Sequence, residues 1–122
     1  MRITTVINNN IEVAKVESQE LLITDVQSAL DLLATVQYET GCNRFILSRS
    51  AICEDFFQLK TRLAGEVLQK FINYQVKVAI VGDFSMFTSE NLKDFMYECN
   101  KGKDFFFLTT EEQAIDKLSS AV

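Results

Sequence analysis

The segment VKVAIV, residues 76–81, constrains the fold of this 122-residue chain more than any other. It is a run of apolar and β-branched residues with little alternation, and it ends at Gly82-Asp83. A strand of this kind is typical of a sheet that is covered on both faces, because neither side of the strand can be left to water. The segment therefore predicts a parallel sheet flanked by helices.

The segments before this strand fit the same architecture. The runs RITTVI and IEVAKVE are separated by Asn8–Asn10, which favours a hairpin because asparagine tolerates positive φ. Helical spacing follows in TDVQSALDLLATVQYETG, where Thr24 and Gln27 have the form of a capping box and Gly41 is the predicted stop. NRFILS is a short predicted strand.

The segment EDFFQLKTRLAGEVLQKFINY, residues 54–74, has apolar residues at steps of three and four and predicts one long, heavily buried helix. Gly65 inside that helix suggests a close approach of another backbone. After VKVAIV, the segment TSENLKDFMYECNKGK predicts a helix capped by Ser89. DFFFLT predicts the last strand, and TEEQAIDKLSS the last helix, with Thr109 and Glu112 as its capping box.

The predicted order is β-β-α-β-α-β-α-β-α in a single domain over residues 1–122. Alternating strands and helices imply right-handed crossovers and a mainly parallel sheet with helices on both faces. The opening hairpin adds an antiparallel edge. The predicted class is thus α/β, with two or three layers.

Composition excludes several kinds of chemistry. The chain has no histidine, so the commonest general base, the commonest metal ligand and every Ser-His or Cys-His nucleophile pair are missing. CxxC pairs and the glycine-rich phosphate motifs GxGxxG and GxxxxGK[ST] are also missing. We therefore predict no catalytic residue, no metal site and no cofactor.

Charge, hydropathy and cysteine content indicate which partners and which cellular location to expect. The net charge of −5 argues against a nucleic-acid partner, since binding to phosphates needs clustered Lys and Arg. No stretch approaches the roughly 20 apolar residues that span a bilayer, so no membrane association is expected. Three widely spaced cysteines do not form a disulfide framework, which favours a cytoplasmic protein. Cys99 is the candidate if one of them is reactive.

Candidate binding residues lie where the predicted parallel strands end. Ligands of such sheets bind at the loops that lead from strands into helices. Three of these loops should converge, and the set they supply is Ser48-Arg49-Ser50, Gly82-Asp83-Phe84-Ser85 and Thr109-Thr110. Asp83 beside Arg49 and Ser85 would form a small polar pocket. Turn and cap chemistry explains the same residue types without a ligand, and we regard it as the stronger interpretation.

Two further residues extend the candidate surface. Phe84, with Met86 and Phe87 nearby, is of a kind enriched at protein interfaces, although packing over the end of the sheet explains it equally well. Asp55 lies at the start of the predicted long helix, where the helix dipole favours an acid.

The stretches DFFQLKTRLAGEVLQKFINYQVKVAIVGDFS and LKDFMYECNKGKDFFFL resemble a bacterial family of unknown function, domain-of-unknown-function family 4180. Relatives usually carry an acid where Gln58 stands and a glycine where Arg62 stands. The element order also looks like the STAS domain (sulfate transporter and anti-sigma factor antagonist). That resemblance implies a serine or threonine phosphorylated near the start of the helix after the third strand, for which Ser50 is the best candidate, although the Asp-Ser-Gly context is missing.

Three functions remain open from the sequence. The first is a non-enzymatic regulatory module that binds a protein partner through Ser48, Ser50, Asp55, Asp83, Phe84 and Ser85. The second is a small-molecule or nucleotide-binding domain that uses Asp83, Ser85, Asn100 and Lys101. The third is a self-assembling structural protein in which the edge hairpin or an apolar helix face pairs with a second copy, as in a homodimer.

Overall fold

A computed structural model of the protein describes residues 1–120. Within these residues one five-stranded sheet runs in the order β1-β2-β3-β4-β5. The strands are β1 (Arg2–Asn8), β2 (Ile11–Glu17), β3 (Arg44–Ser48), β4 (Lys77–Val81) and β5 (Phe105–Leu108), and the helices are α1 (Val26–Thr40), α2 (Leu63–Asn73), α3 (Glu90–Lys101) and α4 (Glu111–Ser120). β1 pairs with β2 antiparallel, and all other neighbours are parallel. The predicted α/β class, element order and antiparallel edge are confirmed.

The sheet is covered on both faces, but unequally. Because each crossover from β2 to β5 adds the next strand on the same side and has the same hand, α1, α2 and α3 share one face. Their buried residues join Phe45, Leu47, Val78 and Ile80 in the larger core. On the other face α4 packs through Ala114 and Leu118 onto a smaller cluster, made of Val13, Ile46, Ala79 and Phe106. The architecture thus has three layers.

The hairpin and the first helix follow local sequence signals. Asn9 and Asn10 both have positive φ, 54° and 64°, as a two-residue turn between antiparallel strands requires. Gly41 ends α1 in the left-handed region at φ 72°, as predicted.

Two of the three predicted caps differ from the structure by one residue. Asp25, not Thr24, caps α1, and it exchanges hydrogen bonds with Ser28 in a capping box. For α4, Thr110 Oγ1 accepts from the backbone N–H of Gln113, in place of the predicted Thr109 and Glu112. The predicted cap of α3 by Ser89 is confirmed, since its side chain accepts from the N–H of Leu92.

The predicted long helix over residues 54–74 is wrong in its first half. Two 3-10 turns, Glu54–Phe57 and Leu59–Thr61, precede α2, which begins only at Leu63. The two adjacent phenylalanines explain the break because both are buried against different partners. Phe56 stacks 6.3 Å from the β5 ring of Phe105, whereas Phe57 stacks 4.8 Å from Phe87 in the loop after β4.

Arg62 and Gly65, at the start of α2, have backbone environments that the sequence did not predict. Arg62, at the entry to α2, has φ 64°, a conformation that costs a non-glycine residue energy. The close approach expected at Gly65 is absent: a Cβ there would meet no atom within 4 Å among the described residues.

Candidate functional site

The ends of β3 and β4 place the predicted site residues on one surface. Ser48 at the end of β3 pairs in register with Val81, so the two following loops start side by side. We call this region the strand-end surface, and it consists of Ser48, Arg49, Ser50, Asp83, Phe84, Ser85, Met86 and Phe87. Thr109 and Thr110 follow the carboxyl end of β5, on the same side of the sheet as the loops after β3 and β4.

Ser48 and Ser50 are brought together in the loop after β3. Their hydroxyl oxygens are 2.8 Å apart, and Ser48 Oγ also accepts from the backbone N–H of Ser50 at 3.2 Å. Both residues are exposed. Ser48 therefore caps the 3-10 turn Arg49–Ala51, while the hydroxyl of Ser50 remains accessible.

Arg49 explains the glycine that follows β4. A Cβ at Gly82 would lie 2.6 Å from Arg49 Cβ and 3.3 Å from its Cδ, well inside normal contact distance. The side chain of Arg49 thus lies directly against the backbone of residue 82. The backbone of Gly82 does not have positive φ, so the close approach, rather than the turn proposed from the sequence, requires glycine here.

The guanidinium of Arg49 joins the two loops through aromatic contacts. Its Cζ lies 5.0 Å from the ring centroid of Phe87 and 5.9 Å from that of Phe57. One terminal nitrogen contacts Met86 Sδ at 2.6 Å, and it lies 3.8 Å from a carboxylate oxygen of Glu54. Nε is buried without a hydrogen-bond partner among residues 1–120. Cation–π attraction to two rings holds this group, together with the Met86 Sδ contact and the ion pair with Glu54.

Asp83 and Ser85 form a local turn. Asp83 Oδ1 accepts from the backbone N–H of Ser85 at 2.9 Å. Hydrogen bonding to Ser85 lowers the pKa of the Asp83 carboxyl, and the positive charge of Arg49 lowers it further. Both residues are exposed, so the carboxylate faces water. The hydrogen bond between Asp83 and Ser85 is that of turn chemistry, and Arg49 acts on Asp83 through its charge.

Phe84 and Met86 divide the loop after β4 into an inner and an outer part. Phe84 is half-buried, with ring centroids 5.7 Å from Phe107 and 6.2 Å from Phe57. Met86 is 60% exposed. A substitution at Phe84 is therefore expected to disturb packing over the end of the sheet, the second of the two interpretations that the sequence allowed. Met86 is the apolar side chain of this loop that a partner could reach without unfolding it.

The remaining predicted residues lie apart from this grouping or are engaged elsewhere. Asp55 is exposed in the 3-10 turn Glu54–Phe57, next to the buried Phe56. The side-chain amide of Asn100 bonds to both backbone groups of Phe107, at 2.7 and 3.0 Å. Lys101 bonds to Glu98 and lies over the ring of Tyr97, with 4.5 Å between its Nζ and the ring centroid. Asn100 also lines a cavity of about 350 Å³ together with Gln113 and Lys117.

A small cavity lies beside the strand-end surface, on the α4 face of the sheet. Its volume is about 210 Å³, and its lining includes Lys15, Ser48, Val81 and Glu111. Lys15 Nζ and a carboxylate oxygen of Glu111 are 2.6 Å apart, so the cationic group is already paired. Sequence reasoning found Ser48 but missed Lys15 and Glu111, because only the pairing of β2 with β3 and the placement of α4 bring them together.

The described residues offer no support for a reactive cysteine, a metal site or a membrane-spanning helix. Burial raises the pKa of Cys99 to about 11, with Glu98 adding to the shift, which argues against a reactive thiolate at this position near neutral pH. Within residues 1–120 no cluster of three or more His, Cys, Asp or Glu side chains could hold a metal ion. No helix in the same residues has the length and hydropathy needed to cross a membrane.

Comparison with known proteins places the chain in a family. Among curated proteins, none matches it. A solved structure of a predicted anti-sigma factor antagonist from Thermotoga maritima resembles it with 16% identity and a TM-score of 0.46, over 94% of this chain and 92% of the other. A resemblance at this level carries no information on function. The model of the family described as a domain of unknown function, DUF4180, matches residues 8–118. The chain therefore belongs to this family, as its sequence motifs indicated.

Proposed function

We propose that this protein is a non-enzymatic regulatory module that binds a protein partner through its strand-end surface. The observation that supports this most directly is the grouping of Arg49, Phe87 and Met86 at the carboxyl ends of β3 and β4. Met86 is 60% exposed there. Arginine, methionine and aromatic side chains are the types enriched at protein interfaces. Exposed polar residues, among them Ser50 and Asp83, surround this apolar centre, as the rim of an interface does.

The partner would meet an apolar tip on a rigid support. Phe57 and Phe84 beneath the loop pack against each other and against the sheet, so the loop need not be ordered on binding. Preorganisation of this kind lowers the entropic cost of association. The net charge of −5 makes a partner with a basic complementary surface the better electrostatic match.

The test is affinity capture from an extract of the source cells, with Met86→Asp as the surface variant. Tyr38→Asp is the matched control, because Tyr38 is 93% exposed on α1. We expect a partner that is recovered with the wild type and the control but reduced at least about tenfold by Met86→Asp, equivalent to about 1.4 kcal/mol. Equal thermal unfolding of the variants must accompany the result. Recovery of the bait alone in every sample, or a partner indifferent to Met86, would contradict the proposal.

Phosphorylation of Ser50 is the proposed means of regulation. The exposed hydroxyl lies 2.8 Å from that of Ser48, and a phosphate there would add nearly two negative charges to the rim of the surface. We expect Ser50→Asp to weaken capture of the partner and Ser50→Ala to leave it unchanged. Equal capture by both variants would remove this step while leaving the binding proposal standing.

Binding of a small ligand is the second candidate, and the cavity beside Ser48 is the observation that favours it. Its volume of about 210 Å³ is below the roughly 300–1,000 Å³ of pockets that hold drug-sized ligands. Lys15 is already paired with Glu111, so an anionic ligand would have to displace that carboxylate. A thermal-shift screen of small anions, with Lys15→Met as control, tests it: stabilisation that the control abolishes would favour this function.

A further inference from the structure

The two edges of the sheet are protected differently. At the β5 edge, the side chain of Asn100 occupies both backbone groups of Phe107, at 2.7 and 3.0 Å. This amide takes the place that a neighbouring strand would occupy, so it blocks pairing at that edge. The β1 edge has no such cover among residues 1–120: its seven residues pair only with β2.

The hairpin geometry determines which backbone groups of β1 face outward. Asn8 and Ile11 flank the two-residue turn, and residues in that position form a hydrogen-bonded pair. Because hydrogen-bonded and non-hydrogen-bonded pairs alternate in an antiparallel ladder, the N–H and C=O groups of Ile3, Thr5 and Ile7 point away from β2. No described hydrogen bond within residues 1–120 satisfies them on that side.

The sequence of β1 is complementary to itself about Thr5. In an antiparallel pair of two copies centred on this residue, Thr5 faces Thr5 of the second copy and Ile3 faces Ile7. All three outward-facing residues then form hydrogen-bonded pairs, which gives six hydrogen bonds across the dyad. Shifting the register by two residues in either direction loses one of these pairs.

The side chains agree with the same register. Ile7 is 71% exposed, and the second copy's Ile3 would cover it on the α1 face. On the opposite face Thr4 meets Val6, a pair of β-branched residues that suits neighbouring strands. Arg2 is the charged residue of β1, and it meets Asn8, so no like charges are opposed. β1 also lacks the proline, bulge and inward-pointing charge that protect natural edge strands.

We propose that β1 is a homodimer interface, in which two copies pair antiparallel about Thr5 to form a continuous ten-stranded sheet. The occupant of the edge is a second copy of this chain. The proposal is independent of the strand-end surface, which lies at the carboxyl ends of the strands and stays accessible in the dimer. One strand pair is small compared with the roughly 1,200 Å² of stable interfaces, so the dimer is weak and concentration-dependent.

Sedimentation equilibrium from about 10 µM to about 1 mM covers the range of weak association. We expect the mass to rise with concentration from 13.9 kDa toward twice that value. A monomer throughout this range would overturn the proposal.

Charge variants at the dyad then test the register. We expect Thr5→Lys and Thr5→Glu each to raise the dimerisation midpoint by about fivefold, since like charges directly opposite each other destabilise a strand pair. An equimolar mixture of the two should restore dimerisation, because Lys and Glu then face each other. Thr5 is exposed, so neither variant disturbs the monomer's core. Gln69→Lys on α2 is the charge-matched control and should leave the midpoint unchanged. A dimer indifferent to residue 5, or a mixture no better than the separate variants, would overturn the proposal.

A disulfide provides the geometric check. Hydrogen-bonded antiparallel pairs have Cα atoms about 5.5 Å apart, within the range that a disulfide can bridge. Under mild oxidation Thr5→Cys should therefore form a cross-linked dimer through its own copy. Thr4→Cys should not, because Thr4 faces Val6 in this register. Equal cross-linking of the two variants would contradict the predicted pairing.

Discussion

Replacement of Gly82 with alanine tests whether contact with Arg49 is what requires glycine at the end of β4. The new Cβ would lie 2.6 Å from Arg49 Cβ, whereas carbon atoms in contact prefer about 3.5–4.0 Å. The turn after β3 must therefore move by about 1 Å, away from its contacts with Phe87 and Phe57. Because overpacking of this kind costs about 1–3 kcal/mol, we expect Gly82→Ala to lower the free energy of unfolding by about 2 kcal/mol.

A double-mutant cycle with Arg49→Gly isolates the steric part of this cost. Arg49→Gly removes the clashing Cβ together with the rest of the side chain. In that background Gly82→Ala should be neutral, or stabilising by up to about 1 kcal/mol, because alanine restricts the unfolded chain more than glycine does. The coupling between the two positions should then exceed about 1.5 kcal/mol, as residues in contact can show.

Urea unfolding followed by circular dichroism measures all four species of the cycle. Gly65→Ala is the matched control: Gly65 is exposed within α2 and has no atom within 4 Å of its Cβ position, so alanine should stabilise the protein by about 0.5–1 kcal/mol. A loss at residue 82 that is the same with and without Arg49, or no loss at all, would refute the close-approach argument.

Three further substitutions or measurements follow from the structure. Arg62→Gly should raise the free energy of unfolding by about 1 kcal/mol in urea titrations, because φ 64° costs a residue with a Cβ; a destabilised variant would contradict this. Asn100→Ala should lower it by about 2 kcal/mol, since both backbone groups of Phe107 lose their partner, and Asn100→Asp, which keeps the acceptor, should lose less; an unchanged Asn100→Ala would contradict the edge-blocking role. Alkylation of Cys99, resolved by peptide mass spectrometry, should accelerate about tenfold per pH unit from pH 8 to 10, because only the thiolate reacts and the pKa is about 11; a plateau below pH 9 would show that burial does not raise it.

The elements of this protein were predictable where their signals are local. VKVAIV indicated a strand covered on both faces, and β4 lies between the larger core and the α4 cluster. Asn9 and Asn10 indicated the hairpin, and Gly41 the end of α1, because in each case the conformation is a property of the residue itself. The capping residues of α1 and α4 were missed by one position, since several neighbouring polar side chains can serve as a cap and the packing of the helix selects one.

The candidate site was predictable as a location rather than as a set of contacts. Parallel strands end at one edge of a sheet, so the convergence of the loops after Ser48 and Val81 follows from the strand order. The contact of Arg49 with Phe57 and Phe87 could not be predicted from the strand order, because these residues come from three different loops and turns. The pairing of Lys15 with Glu111 is also missing from any local pattern, as 96 positions separate them.

The sequence by itself determined the alternation of strands and helices, the antiparallel hairpin and the absence of histidine chemistry, because periodicity, turn residues and composition act locally or over the whole chain. Only the tertiary structure decided that 3-10 turns replace a helix in residues 54–61. Phe56 packs on Phe105 and Phe57 packs on Phe87, and both partners lie far along the chain. The tertiary structure also explains the glycine at residue 82, because the side chain of Arg49 occupies the space that a Cβ would take.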